Sequence, residues 1–110
     1  MARFRVARMQ TNADWTSPTI VFRAGTPPAP IDTAGWTIAG VAVGTAGRLD
    51  LTLGARLTLN GSGQLTIRLA AADCAALGAG RVDFEIMRLS PEPAPRPLLR
   101  FAMTNHPGVL

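Results

Sequence analysis

The stretch Pro30-Ile31-Asp32-Thr33-Ala34-Gly35-Trp36-Thr37-Ile38 joins a turn signature to the start of an apolar strand. Asp32 can accept a hydrogen bond from a backbone N–H two residues further on, and Gly35 supplies a position at which φ can be positive. Trp36 follows at once, and a tryptophan removes about 150–250 Å² from water when it is buried. We therefore expect Asp32, Gly35 and Trp36 to anchor the fold and to fix the register of the strand that follows.

Trp36 has two interpretations at this stage. It is either a core anchor or an exposed platform for a sugar or a nucleobase, and a platform needs a second aromatic side chain nearby. The chain has no tyrosine and only one other tryptophan, Trp15. The sequence therefore favours the core.

Short segments on both sides of this stretch alternate apolar with polar residues, which is typical of strands with one buried face. Extended segments are predicted at residues 3–6, 16–23, 36–43, 49–53, 57–59, 64–69, 81–89 and 98–104. Pro18 places its segment at a sheet edge or a bulge, and Gly40 suggests a bend or a bulge in its own. The alanine-rich run Ala70–Leu77 predicts one short helical turn, in which Asp73 can act as a cap.

These segments predict an all-β protein, either a two-sheet β-sandwich of seven or eight short strands or a small barrel. The chain has 110 residues, which suits a single domain over 1–110 with short terminal arms at 1–8 and 105–110. One cysteine cannot form an internal disulfide. The loop at 90–97, with four prolines at alternate positions, should be stiff and extended.

The basic residues do not indicate a nucleic-acid partner. The net charge is +4, it comes from arginine alone, and the arginines are spread along the chain. Arg81, Asp83 and Glu85 share one predicted strand face and are of mixed sign, which is typical of a solvated surface. No apolar run approaches the length of a membrane span, and no secretion signal is recognisable. We expect neither a specific nucleic acid nor a membrane as partner.

Residues that could carry chemistry are few and scattered. Cys74 and His106 are the only thiol and imidazole, and Cys74 lies among alanines as a buried apolar residue would. Asp14 and Asp32 lie in loops and are interpreted as turn formers. We predict no catalytic, cofactor-binding or metal-binding residues, no cofactor and no small-molecule substrate.

Several short motifs occur together in an order that resembles a known family. The first half carries Asp14-Trp15, the apolar segment Thr19–Phe22 and the turn Pro30–Thr37, and the second half carries Gly63–Leu69, Asp73–Leu77, Gly80 and Val82–Ile86. This arrangement resembles small phage tail and baseplate domains similar to the N-terminal domain of lactococcal-type baseplate upper proteins. The chain departs from their pattern at Asn12-Ala13, at Thr33-Ala34 and at Arg81-Val82.

The resemblance implies an immunoglobulin-like β-sandwich and a structural, non-catalytic role. The expected function is a virion component of a tailed bacteriophage or phage-like particle, at the tail tip, baseplate or neck, synthesised in the cytoplasm of the host bacterium. Its expected partners are other copies of itself and neighbouring virion proteins. The candidate interface residues are Arg3, Arg5, Arg8, Pro91, Pro93, Pro95, Pro97, Val109 and Leu110.

Two alternatives remain open at this stage. The first is a glycan- or protein-binding β-sandwich module, which should expose Trp15 or Trp36. The second stays within the structural class and is a head decoration or cement protein, which differs from a tail component only in its partner.

Overall fold

The structure is a computed structural model that describes residues 9–90 and 96–108, apart from the side chains of Pro30, Ser90 and Arg96. The predicted strand at 3–6 lies outside the described residues. The described strands are β1 Trp15–Thr16, β2 Ile20–Val21, β3 Arg23–Ala24, β4 Ala29–Pro30, β5 Thr37–Val43, β6 Arg48–Thr52, β7 Leu57–Leu59, β8 Gln64–Leu69, β9 Gly80–Ser90 and β10 Arg96–Asn105. One helix, α1, spans Ala71–Leu77 between β8 and β9.

The strands form two antiparallel sheets and a small two-stranded ribbon. The larger sheet has the order β10-β9-β5-β6. In the second sheet, β8 is central, with β7 on one side and β1 followed by β2 on the other. The ribbon is β3 with β4. The described strands therefore make the predicted all-β sandwich, and they do not close into a barrel.

The strand order is that of an immunoglobulin-type sandwich. Three hairpins, β5–β6, β7–β8 and β9–β10, each stay within one sheet, and the chain crosses to the opposite sheet between them. In that fold a side with strands A, B, E and D faces a side with strands C, F and G, to which variable-type domains add strands beside C. Here β1/β2, β8 and β7 occupy the first side, and β5, β9, β10 and β6 occupy the second.

The core lies between the two sheets and follows the alternation of the sequence. In β8 the buried side chains are Leu65, Ile67 and Leu69, and in β9 they are Val82, Phe84 and Ile86. Both sets are the apolar positions of the alternating segments predicted at 64–69 and 81–89. The helix adds Cys74 and Leu77, which are also fully buried.

The segment predicted as one strand over 16–23 is broken in the structure. The β1 register pairs Thr16 with Arg68, whereas the β2 register pairs Ile20 with Leu65, so the edge strand holds one extra residue. Ser17 bridges the break, because its Oγ accepts the Ile67 N–H at 2.9 Å. Pro18, which has no N–H, thus lies at an edge and at a bulge, as the sequence predicted.

Aromatic side chains join the two sheets at the centre of the core. Trp15 of β1 is 2% exposed, and its ring lies 5.7 Å from that of Phe84 in β9. Phe84 in turn stacks on Phe101 of β10 at 4.7 Å with an interplanar angle of 7°. In antibody domains a disulfide joins the strands that correspond to β1 and β9. This chain uses an aromatic contact there.

The turn at Asp32 is tied both to itself and to the β7–β8 hairpin. The Asp32 carboxylate accepts the Ala34 N–H at 3.0 Å, and Gly35 has φ of 78°. Thr33 is 3% exposed, its N–H donates to the Gly61 carbonyl at 3.1 Å, and its hydroxyl accepts the Gly63 N–H at 3.0 Å. The turn that leads into β5 in one sheet is therefore fixed to the hairpin of the other.

Carboxylates hold the N-terminal end of α1, which at seven residues is too short to be stable alone. Asp73 accepts the Ala70 N–H at 3.1 Å and makes two bonds to the Arg56 guanidinium. Asp14 accepts the Ala71 N–H at 2.7 Å from 57 residues away. The sequence interpretation of Asp14 as a local turn former is wrong in this respect, because its bond reaches across the fold.

Asn105 holds the other end of the helix. Its side-chain amide donates to the Cys74 carbonyl at 2.9 Å and to the Gly78 carbonyl at 2.8 Å, and the residue is fully buried. The Cys74 carbonyl belongs to the last turn of the helix, whose carbonyls have no partners within the helix, and Gly78 is the residue that follows the helix. The predicted arm at 105–110 therefore begins inside the fold, with Asn105 as the last residue of β10.

Gly40 has a role that differs from the predicted bend or bulge. It stays in register with both neighbouring strands, and the irregularity of β5 lies between Thr37 and Ile38. A Cβ at Gly40 would lie 2.6 Å from Ile86 Cδ1 and against the Glu85 carbonyl oxygen. Glycine is needed here because the Ile86 side chain occupies the space that a side chain would take.

We expect Gly40→Ala to lower the free energy of unfolding by about 1–3 kcal/mol, because the added methyl group overpacks the core against Ile86. Denaturant unfolding followed by circular dichroism measures this change. Gly61→Ala is the matched control, since a Cβ there meets nothing within 4 Å. Equal stability of the two variants would contradict the packing role of Gly40.

We expect Asp73→Asn to cost about 1–3 kcal/mol near neutral pH, because it removes a charged hydrogen-bond acceptor that is 19% exposed. The bond to Arg56 lowers the pKa of Asp73 below its ordinary 3.8, so this stability is present above that pH and is lost as the pH falls below it. The free energies of unfolding of the protein and the variant, measured from neutral to acid pH, should thus become equal as the pH falls.

Asp50→Asn is the control for this experiment. The Arg48–Asp50 pair spans 3.6 Å between side chains that are 68% and 77% exposed, and such pairs add little stability. Its removal should leave the free energy of unfolding nearly unchanged. The ion-pair mechanism would be contradicted if the difference in free energy of unfolding between Asp73→Asn and the unsubstituted protein stayed constant down to acid pH.

Candidate interaction surfaces

The outer side of the larger sheet carries ion pairs of mixed sign, and we call it the charged face. Arg81 and Asp83 lie two residues apart on β9 and are paired at 2.9 Å. Arg100 of β10 pairs across the strands with Glu85 of β9, also at 2.9 Å. The hydrogen bond to Glu85 raises the pKa of Arg100 further above its ordinary value, so the guanidinium stays charged at neutral pH. The result is the solvated strand face that the sequence predicted.

Two valines of β5 form the centre of the charged face. Val41 lies opposite Glu85, and Val43 lies opposite Asp83, in the register of the sheet. The charged and valine side chains surround a depression of about 250 Å³, and Val43 is 43% exposed. An apolar centre inside a polar rim is the usual anatomy of a protein–protein contact.

A second surface, which we call the edge groove, lies where the two sheets part. It is an apolar groove of about 360 Å³ between the outer edge of β10 and the broken strand β1/β2. Its wall includes Trp15, Pro18, Ile20, Leu99, Phe101 and Met103. The sequence predicted an alternating segment at 98–104 but not this groove, which depends on the separation of two edges distant in the chain.

A third surface, the aromatic pocket, has a volume of about 380 Å³ and includes Phe22, Ile31, Trp36, Arg88 and Leu98. Trp36 is partly buried against the core, and its ring lies 6.3 Å from that of Phe22. The Arg88 guanidinium lies 5.1 Å from the centre of the Trp36 ring, in cation–π range. The sequence analysis considered only Trp15 as a second aromatic and missed Phe22, although the alternation through 16–23 places Phe22 on the same face as Ile20.

The two residues considered for catalysis, Cys74 and His106, lie in structural positions. Cys74 is fully buried, and burial raises the pKa of its thiol, so the thiol stays protonated at neutral pH. His106 exchanges backbone hydrogen bonds with Met9 and Thr11. Within residues 9–90 and 96–108, no three potential metal-ligating side chains come together.

Of the predicted interface residues, only Pro97 lies among the residues that the structure describes. Pro97 is exposed and borders the aromatic pocket. The others lie outside the described residues, and they are Arg3, Arg5, Arg8, Pro91, Pro93, Pro95, Val109 and Leu110. The fold anchors Asp32, Gly35 and Trp36 all lie in the connection that enters β5.

Comparisons of the chain with protein-family models, with curated proteins and with solved structures find no match. No helix in the described part of the chain has the length and apolar character of a membrane span. The class of the protein is therefore defined by its fold, an immunoglobulin-type β-sandwich, and by the three surfaces above.

We expect the two tryptophans to differ in fluorescence. Trp36→Phe leaves only Trp15, which is 2% exposed, so its emission should be blue-shifted and little quenched by acrylamide. The unsubstituted protein should show an additional, more accessible component from Trp36, which lines the aromatic pocket. Strong quenching of Trp36→Phe would contradict the core position of Trp15.

Proposed function

We propose that this protein is a non-catalytic structural component of a tailed bacteriophage or a phage-like particle, at the tail tip, baseplate or neck. It acts in the virion by binding other copies of itself and neighbouring structural proteins. The observation that carries this proposal is the charged face, with its valine centre and its rim of ion pairs. A sheet face of this kind can join repeated subunits in a symmetric particle.

The positions of the resemblance motifs support the phage assignment. The Asp32–Trp36 turn leads directly into β5, a central strand of the larger sheet. The second group of motifs falls on β8, on α1 and on β9, in that order. The motifs that resemble phage tail and baseplate domains thus occupy the framework of an immunoglobulin-type sandwich, which is the fold that the resemblance implies.

The chemistry of the charged face favours a protein partner. Its arginines are already paired with carboxylates, so it presents no continuous basic stripe for a phosphate backbone. Val43 offers apolar area at the centre, where interface energy concentrates, and the ion pairs around it can set the register between subunits. The binding energy of one such contact is small, and repetition of the contact around a symmetry axis increases the total binding strength.

The proposal is tested by peptide mass spectrometry of density-purified particles from an induced culture of the source organism. We expect recovery in fixed stoichiometry with the capsid and tail proteins. Complementation with Val43→Glu should reduce incorporation, because it places a carboxylate at the apolar centre beside Glu85 and Asp83. Leu53→Glu is the matched control, since Leu53 is 39% exposed and lies in the connection from β6 to β7.

Absence of the protein from intact particles would reject the virion role. Equal incorporation of both variants would keep the virion role but reject the charged face as its interface. Fractionation of heads from tails separates a tail component from a head decoration or cement protein, the alternative within the same class.

The second candidate function is a glycan- or protein-binding module, and the aromatic pocket favours it. Trp36, Phe22 and the Arg88 guanidinium line one concave surface, as in sites that stack a sugar ring or an apolar side chain. Trp36→Ala should abolish binding on a glycan array or to a captured partner while particle incorporation is retained. Loss of incorporation without loss of binding would favour the structural role.

A further inference from the structure

The tip of the β7–β8 hairpin carries the dipeptide Asn60-Gly61. Both residues are exposed, and a Cβ at Gly61 would meet nothing within 4 Å. Asparagine is a thermolabile residue, because the backbone nitrogen of the next residue can attack its side-chain amide. Glycine in the next position leaves this nitrogen unhindered, since it has no Cβ. The other asparagines of the chain, Asn12 and Asn105, do not precede a glycine.

The hairpin also activates the side-chain amide of Asn60. Its Oδ1 accepts the Ser62 N–H at 2.9 Å and the Gln64 N–H at 3.1 Å. When a nucleophile adds to Cγ, negative charge develops on this oxygen. Backbone N–H groups that already point at such an oxygen stabilise the tetrahedral intermediate, as they do in an oxyanion hole. The turn therefore favours attack on the amide that it orients.

We propose that Asn60 is a site of spontaneous deamidation. The Gly61 nitrogen gives its proton to hydroxide and attacks Cγ of Asn60, which closes a cyclic imide. The bond between Cγ and Nδ2 breaks, and Nδ2 takes a proton from water and leaves as ammonia. Water then opens the imide. Opening at the side-chain carbonyl gives aspartate, and opening at the main-chain carbonyl gives isoaspartate.

Thr33 restrains the peptide group that supplies the attacking nitrogen. The Asn60 carbonyl oxygen accepts the Thr33 hydroxyl, and the Gly61 carbonyl oxygen accepts the Thr33 N–H at 3.1 Å. Thr33 is 3% exposed, so water does not replace these bonds easily. Ring closure turns the peptide group relative to the side chain of Asn60 and so disturbs the bond to the hydroxyl. Thr33 therefore slows the reaction.

The two products have different consequences for the fold. Isoaspartate directs the main chain through the former side chain and adds a methylene group between positions 60 and 61. This lengthening separates the hairpin from Thr33 and so removes the connection between the turn before β5 and the β7–β8 hairpin. Aspartate keeps the length of the chain, and its carboxylate can still accept the N–H groups of Ser62 and Gln64. The inference is independent of the proposed function, because it concerns the chemistry of the hairpin and not the charged face.

Peptide mass spectrometry of the purified protein, incubated at physiological temperature and mildly alkaline pH, tests the proposal. Trypsin places the three asparagines in separate peptides, with Asn60 in the peptide that spans 57–68. We expect this peptide to exchange its amide nitrogen for oxygen several-fold faster than the peptides with the exposed Asn12 and the buried Asn105. Isoaspartate should appear together with aspartate, because the cyclic imide gives both. Equal rates at Asn60 and Asn12, or aspartate alone, would overturn the proposal.

Gly61→Ala tests the attacking nitrogen. The backbone at Gly61 does not have a positive φ and offers space for a Cβ, so the variant should fold as the unsubstituted protein does. The methyl group crowds the nitrogen, and deamidation at Asn60 should slow several-fold. An unchanged rate would overturn the route through the cyclic imide.

Thr33→Val tests the restraint, because it removes the hydroxyl and nearly keeps the shape of the side chain. Deamidation at Asn60 should become several-fold faster. Gly40→Ala is the matched control, since it disturbs the core against Ile86 and does not contact the hairpin. It should leave the rate at Asn60 unchanged. Equal acceleration by the two variants would overturn the role of Thr33, because general unfolding would then explain both.

The isoaspartyl form, separated from the incubated protein by chromatography, tests the consequence for the fold. Asn60→Asp carries the same charge with a main chain of normal length, and it is the matched comparison. We expect the isoaspartyl form to unfold at a lower denaturant concentration than Asn60→Asp, and Asn60→Asp to unfold close to the unsubstituted protein. Equal unfolding midpoints of the isoaspartyl form and Asn60→Asp would overturn the loss of the Thr33 connection.

Discussion

The contact between Trp15 and Phe84 is the interaction on which the rest of the sandwich depends. The rings lie 5.7 Å apart and come from opposite sheets. Trp15 is 2% exposed and Phe84 is fully buried, so the pair holds the sheets together at the centre of the core. The chain has one cysteine and so cannot use an internal disulfide for this purpose. The edge groove opens beside this contact, since Trp15 lines it together with Phe101.

Polar side chains form hydrogen bonds with backbone groups at the ends of strands and of the helix. Ser17 replaces a missing strand contact at the bulge, and Thr33 ties the turn before β5 to the β7–β8 hairpin. Asp14 and Asn105 hold the two ends of α1. Ser17, Thr33 and Asn105 are themselves buried, so each supplies a hydrogen bond that water cannot reach. A seven-residue helix thereby becomes a fixed part of a β-protein.

The molecule presents surfaces, and their differences suggest different partners. The charged face is broad, and its charges are already neutralised in pairs, which suits contact with another folded protein. The edge groove is lined mainly by apolar side chains of β10 and of the broken strand β1/β2, which suits an apolar partner. The aromatic pocket combines ring faces with a guanidinium, which suits a sugar or an apolar side chain.

The sequence by itself determined the local structure. Alternation defined the buried faces of β8, β9 and β10, the alanine run defined α1, and Pro18 marked the interruption of the edge strand, because each depends on neighbouring residues. Only the tertiary structure decided that Asp14 reaches Ala71, that Phe22 lies beside Trp36 and that Gly40 leaves room for Ile86. Those contacts join residues far apart in the chain, and no local pattern encodes the distance between two sheets. The candidate surfaces depend on the same distances and could not be located before the sheets were placed.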